Sequence, residues 1–261
     1  MKIVRGFAES ERLGRSLAVF FGMNRVLCVT GALMLAGLAW AEPVTVALRP
    51  AKDATLYQSS FGGTANGSGQ HVFAGVTIRE GSIRRGLLWF DVGSVVPAGS
   101  RVVSAALTMN LSRTLRDQPT VVTVHPVVRA WSEGPTDPEG EEGAGADAEA
   151  GDCTWLHTRS PGERWETAGG DFGVSVAGIV VDAPGVYMWP TNAAFVALVQ
   201  GWVDEPAGNF GVLLKGNESV TGNAKRFDSR ENPDEAVRPV LTVSFECGAD
   251  FNGDGFVDFF D

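Results

Sequence analysis

The sequence predicts an all-β fold, an antiparallel β-sandwich of the jelly-roll type with one short helix. Three observations predict it. Apolar residues alternate with polar ones in several short runs, clusters of glycine and proline separate those runs, and a single stretch has apolar residues at helical spacing. A period of two is typical of a strand with one buried face. Many short strands joined by glycine-rich turns favour a sandwich or a jelly roll.

The first 41 residues have the pattern of a secretory leader. The run from Met23 to Ala41 has one basic residue, an apolar stretch and the A-x-A cleavage pattern of Ala39-Trp40-Ala41. Residues 1–22 form a polar extension that fits a start site called too far upstream, with Met23 as the true start. The apolar run is too short for a membrane span. We therefore expect a secreted, extracellular protein whose main domain covers residues 42–246.

Two runs within that domain alternate most clearly. In VSAALTMNLS, the side chains predicted to face the core are Val103, Ala105, Leu107, Met109 and Leu111. PVLTVSFE repeats the pattern at the end of the domain. Further strands are predicted at Val44–Leu48, His71–Val76, Gly86–Asp91, Val121–Val128, Gly173–Val181, Val186–Trp189 and Gly211–Lys215.

The stretch TNAAFVALVQGWVDE departs from the period of two. Its apolar residues Phe195, Leu198, Val199 and Trp202 recur at helical spacing. Either Thr191 or Asn192 is a suitable N-cap. The pattern predicts one helix near residues 193–203 that crosses an end of the sandwich.

Acidic residues are concentrated in two places. Residues 133–152 hold eight acidic and no basic residues, and no aliphatic side chain larger than alanine. This composition predicts a disordered surface insertion at 134–152. The rest of the domain is close to neutral, which gives no electrostatic argument for a nucleic-acid partner. Cys153 and Cys247 follow the leader, and the sequence leaves open whether they pair.

The last residues carry oxygen-bearing side chains at the spacing of a calcium loop. Counted from Asp250, positions 1, 3, 5, 9 and 12 are occupied, glycine stands at position 6, and position 7 offers a backbone carbonyl. The predicted ligands are Asp250, Asn252, Asp254, Phe256, Asp258 and Asp261. Aspartate at position 12 resembles a dockerin repeat, so residues 247–261 are interpreted as a truncated dockerin-type loop. We expect weak calcium binding and a cohesin-like or surface-anchoring partner, the alternative being a solvated acidic tail.

Four motifs follow one another from roughly Pro50 to Glu246, namely RRGLLWFDV, WSEG…CTWLH…RWETAGGDF, FVALVQGWVDEPAGNFGVLLKG and RFDSRENPDEAVRPVLTVSFE. In this order they resemble the DNRLRE family, a set of secreted β-sandwich modules related to carbohydrate-binding modules. The family's signature residues fall on Asp53, Asn66, Arg85, Leu87, Arg230 and Glu231. We interpret the polar ones as structural ties between arginine and carboxylate, either Arg85 with Glu231 or Arg230 with a nearby carboxylate, the alternative being ligand binding. The acidic insertion departs from the family pattern.

Five tryptophans lie outside the strongest aliphatic strands, namely Trp131, Trp155, Trp165, Trp189 and Trp202. Trp155 and Trp165 are candidates for a platform that stacks on sugar rings, and packing in a core is the alternative. The sequence contains no H-E-x-x-H or G-x-S-x-G motif. The expected function is therefore a non-catalytic module that binds polysaccharide or a cell-surface glycan. A structural or adhesive module without sugar binding is the alternative, and a polysaccharide-degrading enzyme comes third.

Overall fold

The computed structural model describes residues 43–78 and 82–247, so the predicted leader and calcium loop lie outside the described residues. The described chain is mostly antiparallel β-sheet with one short α-helix, which confirms the predicted fold class. Its strands are β1 (Val44–Leu48), β2 (Lys52–Tyr57), β3 (Thr64–Ala65), β4 (His71–Val76), β5 (Ile83–Trp89), β6 (Arg101–Thr114), β7 (Thr120–Pro126), β8 (Ala146–Asp147), β9 (His157–Arg159), β10 (Glu163–Arg164), β11 (Ala177–Val181), β12 (Gly185–Trp189), β13 (Val212–Lys215), β14 (Lys225–Asp228) and β15 (Val240–Glu246).

Eleven of these strands form one sheet that curls back on itself. Its order is β1-β15-β6-β14-β4-β5-β13-β7-β11, with β12 paired to β6 and β2 paired to β5. We call the half containing β1, β15, β6, β12, β14 and β4 sheet A, and the half containing β5, β2, β13, β7 and β11 sheet B. Apolar side chains of both halves meet in one core, so the halves pack as the two layers of a sandwich.

One α-helix, α1 (Ala193–Asp204), closes an end of this core. The Asn192 side chain caps it by accepting hydrogen bonds from the backbone N–H groups of Ala194 and Phe195, at 2.9 and 3.1 Å. Phe195, Val199 and Trp202 are buried against the sandwich. The predicted helix and one of its two predicted caps are therefore confirmed.

A second core lies on the outer face of sheet B. Leu88 and Leu214 point into the first core, whereas their neighbours Leu87 and Leu213 point the opposite way. The chain between β7 and β11 folds over those outward leucines. It contributes Trp131, Cys153, Trp155 and Trp165 to the second core. The domain therefore has three layers, and sheet B is apolar on both faces.

The alternation predicted for β6 is confirmed except at its start. Ala105, Leu107, Met109 and Leu111 are buried, but Val103 is only partly buried and Val102 takes the inward position. Ser104 pairs with Ser244 and Val102 pairs with Phe245, so Val103 is the extra residue of a β-bulge. Because a bulge shifts the register by one residue, the side chains before it change face.

Strands β2 and β14 of the large sheet were not predicted, and neither were the two- and three-residue strands β3, β8, β9 and β10. All residues of β2 after Lys52 are buried, so the strand shows no alternation. In β14, Lys225 is fully buried. Its ammonium donates to the Thr114 hydroxyl at 3.0 Å and to the backbone carbonyls of Gln118 and Asp182 at 3.1 and 2.9 Å. A lysine satisfied in this way is read as a surface residue from sequence alone.

Several predicted strands have different bounds in the structure. The predicted Gly86–Asp91 corresponds to Ile83–Trp89, and the predicted Gly173–Val181 begins four residues later, at Ala177. The remaining strand predictions agree with the structure to within two residues at each end.

The acidic segment 134–152, called the strap below, is packed, so the prediction of a disordered insertion is wrong. Asp152 is fully buried and Thr136 is nearly so. The Thr136 carbonyl accepts hydrogen bonds from the N–H groups of Gly67 and Ser68, both at 3.0 Å. Strand β8 within the strap pairs with β3. Polar contacts rather than apolar burial hold this segment, which is why its composition is misleading.

Cys153 is buried in the second core and carries a free thiol, so it does not pair with Cys247. Burial raises the pKa of this thiol far above its usual range, and a thiol that stays protonated is a poor nucleophile. Among the described residues, no helix has the length and apolar character needed to span a membrane.

Candidate functional site

Both tryptophans proposed as a sugar platform are buried. Trp155 is 7 % exposed and Trp165 is 5 % exposed. The indole N–H of Trp165 donates to the Thr154 carbonyl at 2.9 Å, as expected for a packed indole. Neither ring offers a free face to a sugar, so the interpretation of Trp155 and Trp165 as a carbohydrate platform is wrong. Their physical role is to form the second core.

Arg85 ties the second core together and does not contact Glu231. Its guanidinium donates to both carboxylate oxygens of Glu218, at 2.7 and 3.0 Å, and to the Gly169 carbonyl at 2.7 Å. The same guanidinium lies over the ring of Trp155, 4.8 Å from its centroid. The predicted pair of Arg85 with Glu231 is therefore wrong, and Glu218 is the real partner.

Arg230 forms the alternative pair that the sequence predicted. Its guanidinium binds both oxygens of Glu133, at 2.9 and 3.1 Å, and Glu231 at 2.7 Å. The Arg230 backbone N–H donates to the Asp53 carboxylate at 2.7 Å, and the Asp53 N–H donates to Glu133 at 2.7 Å. We call these four residues, Asp53, Glu133, Arg230 and Glu231, the carboxylate clasp. It joins β2, the loop after β7 and the loop after β14.

The clasp concentrates negative charge in a poorly solvated place. Facing oxygens of its three carboxylates all lie within 4.8 Å of one another, and Arg230 supplies the cation they require. Burial raises the pKa of Asp53 well above its usual range, and the neighbouring Glu231 carboxylate raises it further. Burial also raises the pKa of Glu231, against the opposing effect of Arg230. One buried oxygen of Glu231 has no hydrogen-bond partner.

Asn66 has a comparable structural role. Its side-chain N–H groups donate to the Tyr57 hydroxyl, the His71 carbonyl and Glu142, at 3.1–3.3 Å. Its side-chain oxygen accepts from the Gly69 N–H at 2.9 Å. Leu87 is fully buried. Each of the five polar signature residues therefore has partners within the fold, and Leu87 belongs to the second core.

The surface of the domain has a groove where the strap meets the outer face of sheet A. We call it the strap groove, and its volume is about 270 Å³. Strands β4, β6 and β14 supply the floor and one wall, and the strap supplies the opposite wall. The lining residues are Phe73, Thr77, Arg113, Thr114, Leu115, Glu141, Gly143, Ala224 and Arg226.

Two arginines at the rim converge on one carboxylate. Arg113 and Arg226 are paired across β6 and β14, and both guanidiniums contact the same oxygen of Glu141. Glu141 and Arg113 are largely exposed, at 70 % and 56 % of their side-chain surfaces. One carboxylate cannot satisfy two forked donors, so N–H groups stay available to a ligand. The exposed Leu115 adds an apolar contact beside them.

The strap groove is not evident from the amino-acid sequence, which carries only a weak signal for it. Arg113 and Arg226 occupy outward positions in strands that lie more than 100 residues apart in sequence. Their adjacency depends on the pairing of β6 with β14. Glu141 belongs to the segment that composition assigned to disorder. To predict that Arg113, Arg226 and Glu141 meet, one would need to know how β6 and β14 pair.

The fold and the site geometry can be set against known proteins. No protein-family model matches the chain, and no curated protein matches it significantly. The resemblance to the DNRLRE family therefore stays a prediction that rests on the quoted motifs and on the clasp. The dockerin-type resemblance falls on residues outside the described ranges and stays a prediction as well.

Proposed function

We propose that the chain is a secreted, non-catalytic β-sandwich module that binds polysaccharide or a cell-surface glycan in the strap groove. The single observation that carries the proposal is the groove itself. Its volume of about 270 Å³ lies just below the range of roughly 300–1,000 Å³ for small-ligand pockets. It combines an apolar floor with a few convergent polar groups, which is the usual composition of such sites.

Sugars present apolar C–H faces and hydroxyl edges, and the groove offers a partner for each. Leu115 and the edge of Phe73 supply apolar surface. The guanidiniums of Arg113 and Arg226 keep donors free for hydroxyl or carboxylate oxygens.

Affinity electrophoresis on the intact secreted protein tests the proposal, with gels that contain neutral or uronic-acid polysaccharides. We expect retardation by at least one polymer, and loss of that retardation in the double variant Arg113→Ala/Leu115→Ala. Both side chains are largely exposed, so the change leaves the fold intact. Arg101→Ala is the matched control, because Arg101 is an exposed arginine in an ion pair with Glu246 at the opposite end of β6.

Each alternative predicts a different pattern in this experiment. A structural or adhesive module without sugar binding gives no retardation in any gel. Equal retardation of the double variant and the parent places the site elsewhere and contradicts the proposal. Release of new reducing ends from a retarding polymer indicates a polysaccharide-degrading enzyme instead.

We also propose that residues 250–261 bind calcium weakly and serve to attach the module to a cohesin-like or surface partner. The support is the spacing of oxygen ligands in the sequence. Calorimetry should give a dissociation constant of roughly 0.1–1 mM, as in the weakest extracellular sites. Asp254→Asn should abolish the binding, and Asp204→Asn, in the exposed end of α1, should not change it. The absence of a calcium signal in the parent would indicate a solvated acidic tail.

A further inference from the structure

The buried attachment of the strap to sheet A runs through one residue, Glu142. Its side chain is 2 % exposed. One carboxylate oxygen accepts from the Gln70 N–H and contacts the His71 ring Nδ1, both at 2.9 Å. The other accepts from the His71 N–H at 2.9 Å and from the Asn66 side chain at 3.1 Å. Four groups of the loop before β4 and of β4 itself therefore surround this one carboxylate.

The backbone around Glu142 is held by two further side chains. The Tyr57 hydroxyl donates to the Glu142 carbonyl at 2.8 Å. The guanidinium of Arg84 donates to the Gly143 carbonyl at 3.0 and 3.1 Å. Glu142 itself has a positive φ of 57°, a conformation that few residues adopt without such support. These contacts fix the strap next to the groove, and they involve no apolar side chain of the strap.

We propose that Glu142 is the positioning residue of the strap groove and acts as a latch: while its carboxylate is bound, the strap is docked and the groove has its second wall. Glu141 precedes Glu142 directly and is exposed, so its position against Arg113 and Arg226 depends on the latch. When the latch is lost, the stretch of the strap around Glu142 leaves sheet A and the sandwich beneath it stays folded. The consequence for ligand binding rests on the proposed function, but the latch itself does not.

The charged surroundings make the latch sensitive to acid. His71 lies between Glu142 and Asp228, with its Nε2 3.7 Å from the Asp228 carboxylate. Arg84 and Tyr57 lie under the strap, and Glu141, Arg113 and Arg226 lie at its outer side. Burial opposes ionisation of Glu142, but the hydrogen bonds and charge of His71 outweigh it, so the pKa of Glu142 lies below its usual range.

A carboxyl group with a lowered pKa in the docked state contributes stability above its ordinary pKa, and that stability is lost as the pH falls through the lowered value. The latch therefore holds at neutral pH and opens only in acid, below the ordinary pKa of a glutamate side chain.

Hydrogen exchange read by mass spectrometry tests the latch without any ligand. In Glu142→Ala, amides of the strap and of residues 70–71 should exchange at least tenfold faster at neutral pH, while amides of β6 and β15 keep their protection. Glu149→Ala is the matched control, because Glu149 is an exposed glutamate of the same strap. It should leave exchange unchanged. If Glu142→Ala fails to fold, Tyr57→Phe removes the hydroxyl that donates to the Glu142 carbonyl and accepts from Asn66, and it should accelerate the same amides.

A pH profile separates the latch from a general structural role. In the parent, strap protection should fall in a step as the pH drops below the ordinary pKa of a glutamate side chain, before β6 and β15 lose theirs. Glu142→Ala should lack that step. Unchanged strap exchange in Glu142→Ala, or joint loss of protection in strap and sandwich, would overturn the proposal.

Glycan retention then distinguishes the two proposals. If the latch is right and the groove does not bind glycan, Glu142→Ala loosens the strap and neither protein is retarded. If the groove binds glycan but the latch is wrong, parent and Glu142→Ala are retarded equally. If both are right, the variant loosens the strap and loses most of its retardation.

Discussion

At the scale of single residues, charged side chains in this domain act mainly as ties between distant parts of the chain. Arg85 reaches Glu218, 133 residues away, and Arg230 reaches Glu133, 97 residues away. Each arginine binds its carboxylate through two N–H groups, which fixes the orientation of both partners. Such ties hold loops that bury little apolar surface of their own.

The carboxylate clasp predicts unequal effects for its two adjacent residues. Arg230→Ala leaves the carboxylates of Asp53, Glu133 and Glu231 facing one another without a cation, and should lower the free energy of unfolding by about 3 kcal/mol or more. Glu231→Ala leaves the bidentate pair of Arg230 with Glu133 intact and removes one of three facing negative charges. It should cost less than about 1 kcal/mol. Urea denaturation of both variants checks this, and equal losses would contradict the clasp geometry.

The raised pKa of Asp53 predicts a pH dependence of stability. Because the pKa of Asp53 is higher in the folded state than the unfolded value of about 3.9, the folded state binds more protons between that value and neutral pH. Acidification within this window therefore stabilises the parent. Asp53→Asn removes the titration while its side-chain oxygen can still accept from the Arg230 N–H.

Relative to the parent, Asp53→Asn should be more stable at pH 8, and this advantage should shrink at pH 5. Denaturation curves of both proteins at the two pH values measure it. A constant difference between them would show that Asp53 does not take up a proton.

Only part of the network of charged side chains could be predicted from the sequence. That Arg230 and a carboxylate tie the fold followed from residue types and from the family resemblance. The choice of Glu133 could not follow, because Glu133 stands at the edge of a run of eight acidic residues in which none is distinguished by its neighbours. For the same reason Glu142, the most contacted carboxylate of the strap, looked like the others. The tertiary fold, and not the local sequence, determines which of these acidic residues ties distant parts of the chain together.

At the scale of elements, β6 organises sheet A. It has 14 residues and pairs with β15, β14 and β12. Its alternation was predictable over Ala105–Leu111 because one face is buried and the other is polar. The bulge at Val103 was not, because both Val102 and Val103 are equally apolar and the sequence offers no reason to prefer either as the inward residue.

The bulge predicts opposite sensitivities for two neighbouring valines. Val102 is 4 % exposed and belongs to the first core, whereas Val103 is only partly buried. Val102→Ala should lower the free energy of unfolding by about 2 kcal/mol, and Val103→Ala should lower it by less than about 1 kcal/mol. Thermal or urea denaturation of the two variants measures both losses of stability. A larger loss of stability in Val103→Ala than in Val102→Ala would indicate that Val103 is the inward residue, as the regular alternation of the sequence predicts.

The contacts of the strap explain why its composition wrongly predicts disorder. Disorder is expected where a segment cannot bury enough apolar surface to offset its loss of entropy. Here the surrounding fold offers donors that would otherwise be unpaired, including the N–H groups of Gly67, Ser68, Gln70 and His71. Because an unsatisfied buried donor costs about 1–3 kcal/mol, carbonyls and carboxylates of the strap stabilise it without apolar contacts.

At the scale of the whole molecule, sheet B separates two cores. The sandwich class could be predicted from the sequence, because apolar residues that recur at every second position indicate strands with one buried face. The second core could not follow, because adjacent leucines such as Leu87 and Leu88 remove the alternation in strands that are buried on both sides. Trp155 and Trp165, which were interpreted as a binding platform, are instead buried in this second core.

The two cores predict that the layers can open separately. Leu213 and Leu214 are neighbours in β13 and both are fully buried, but Leu213 faces the tryptophan-rich second core and Leu214 faces the first. Each change to alanine removes the same atoms and should cost about 2–5 kcal/mol. Leu214→Ala should lower the protection of amides in sheet A and of the outer layer together, because the first core holds the entire sandwich.

Leu213→Ala should instead destabilise the outer layer first, because the loss is confined to the core beneath it. Amides of residues 153–170 should then exchange faster while those of β6 and β15 keep most of their protection. Native-state hydrogen exchange in low denaturant, applied to both variants, resolves the two patterns. If both leucines lower protection everywhere by the same amount, the cores form one cooperative unit, and the outer layer cannot open while the sandwich stays closed.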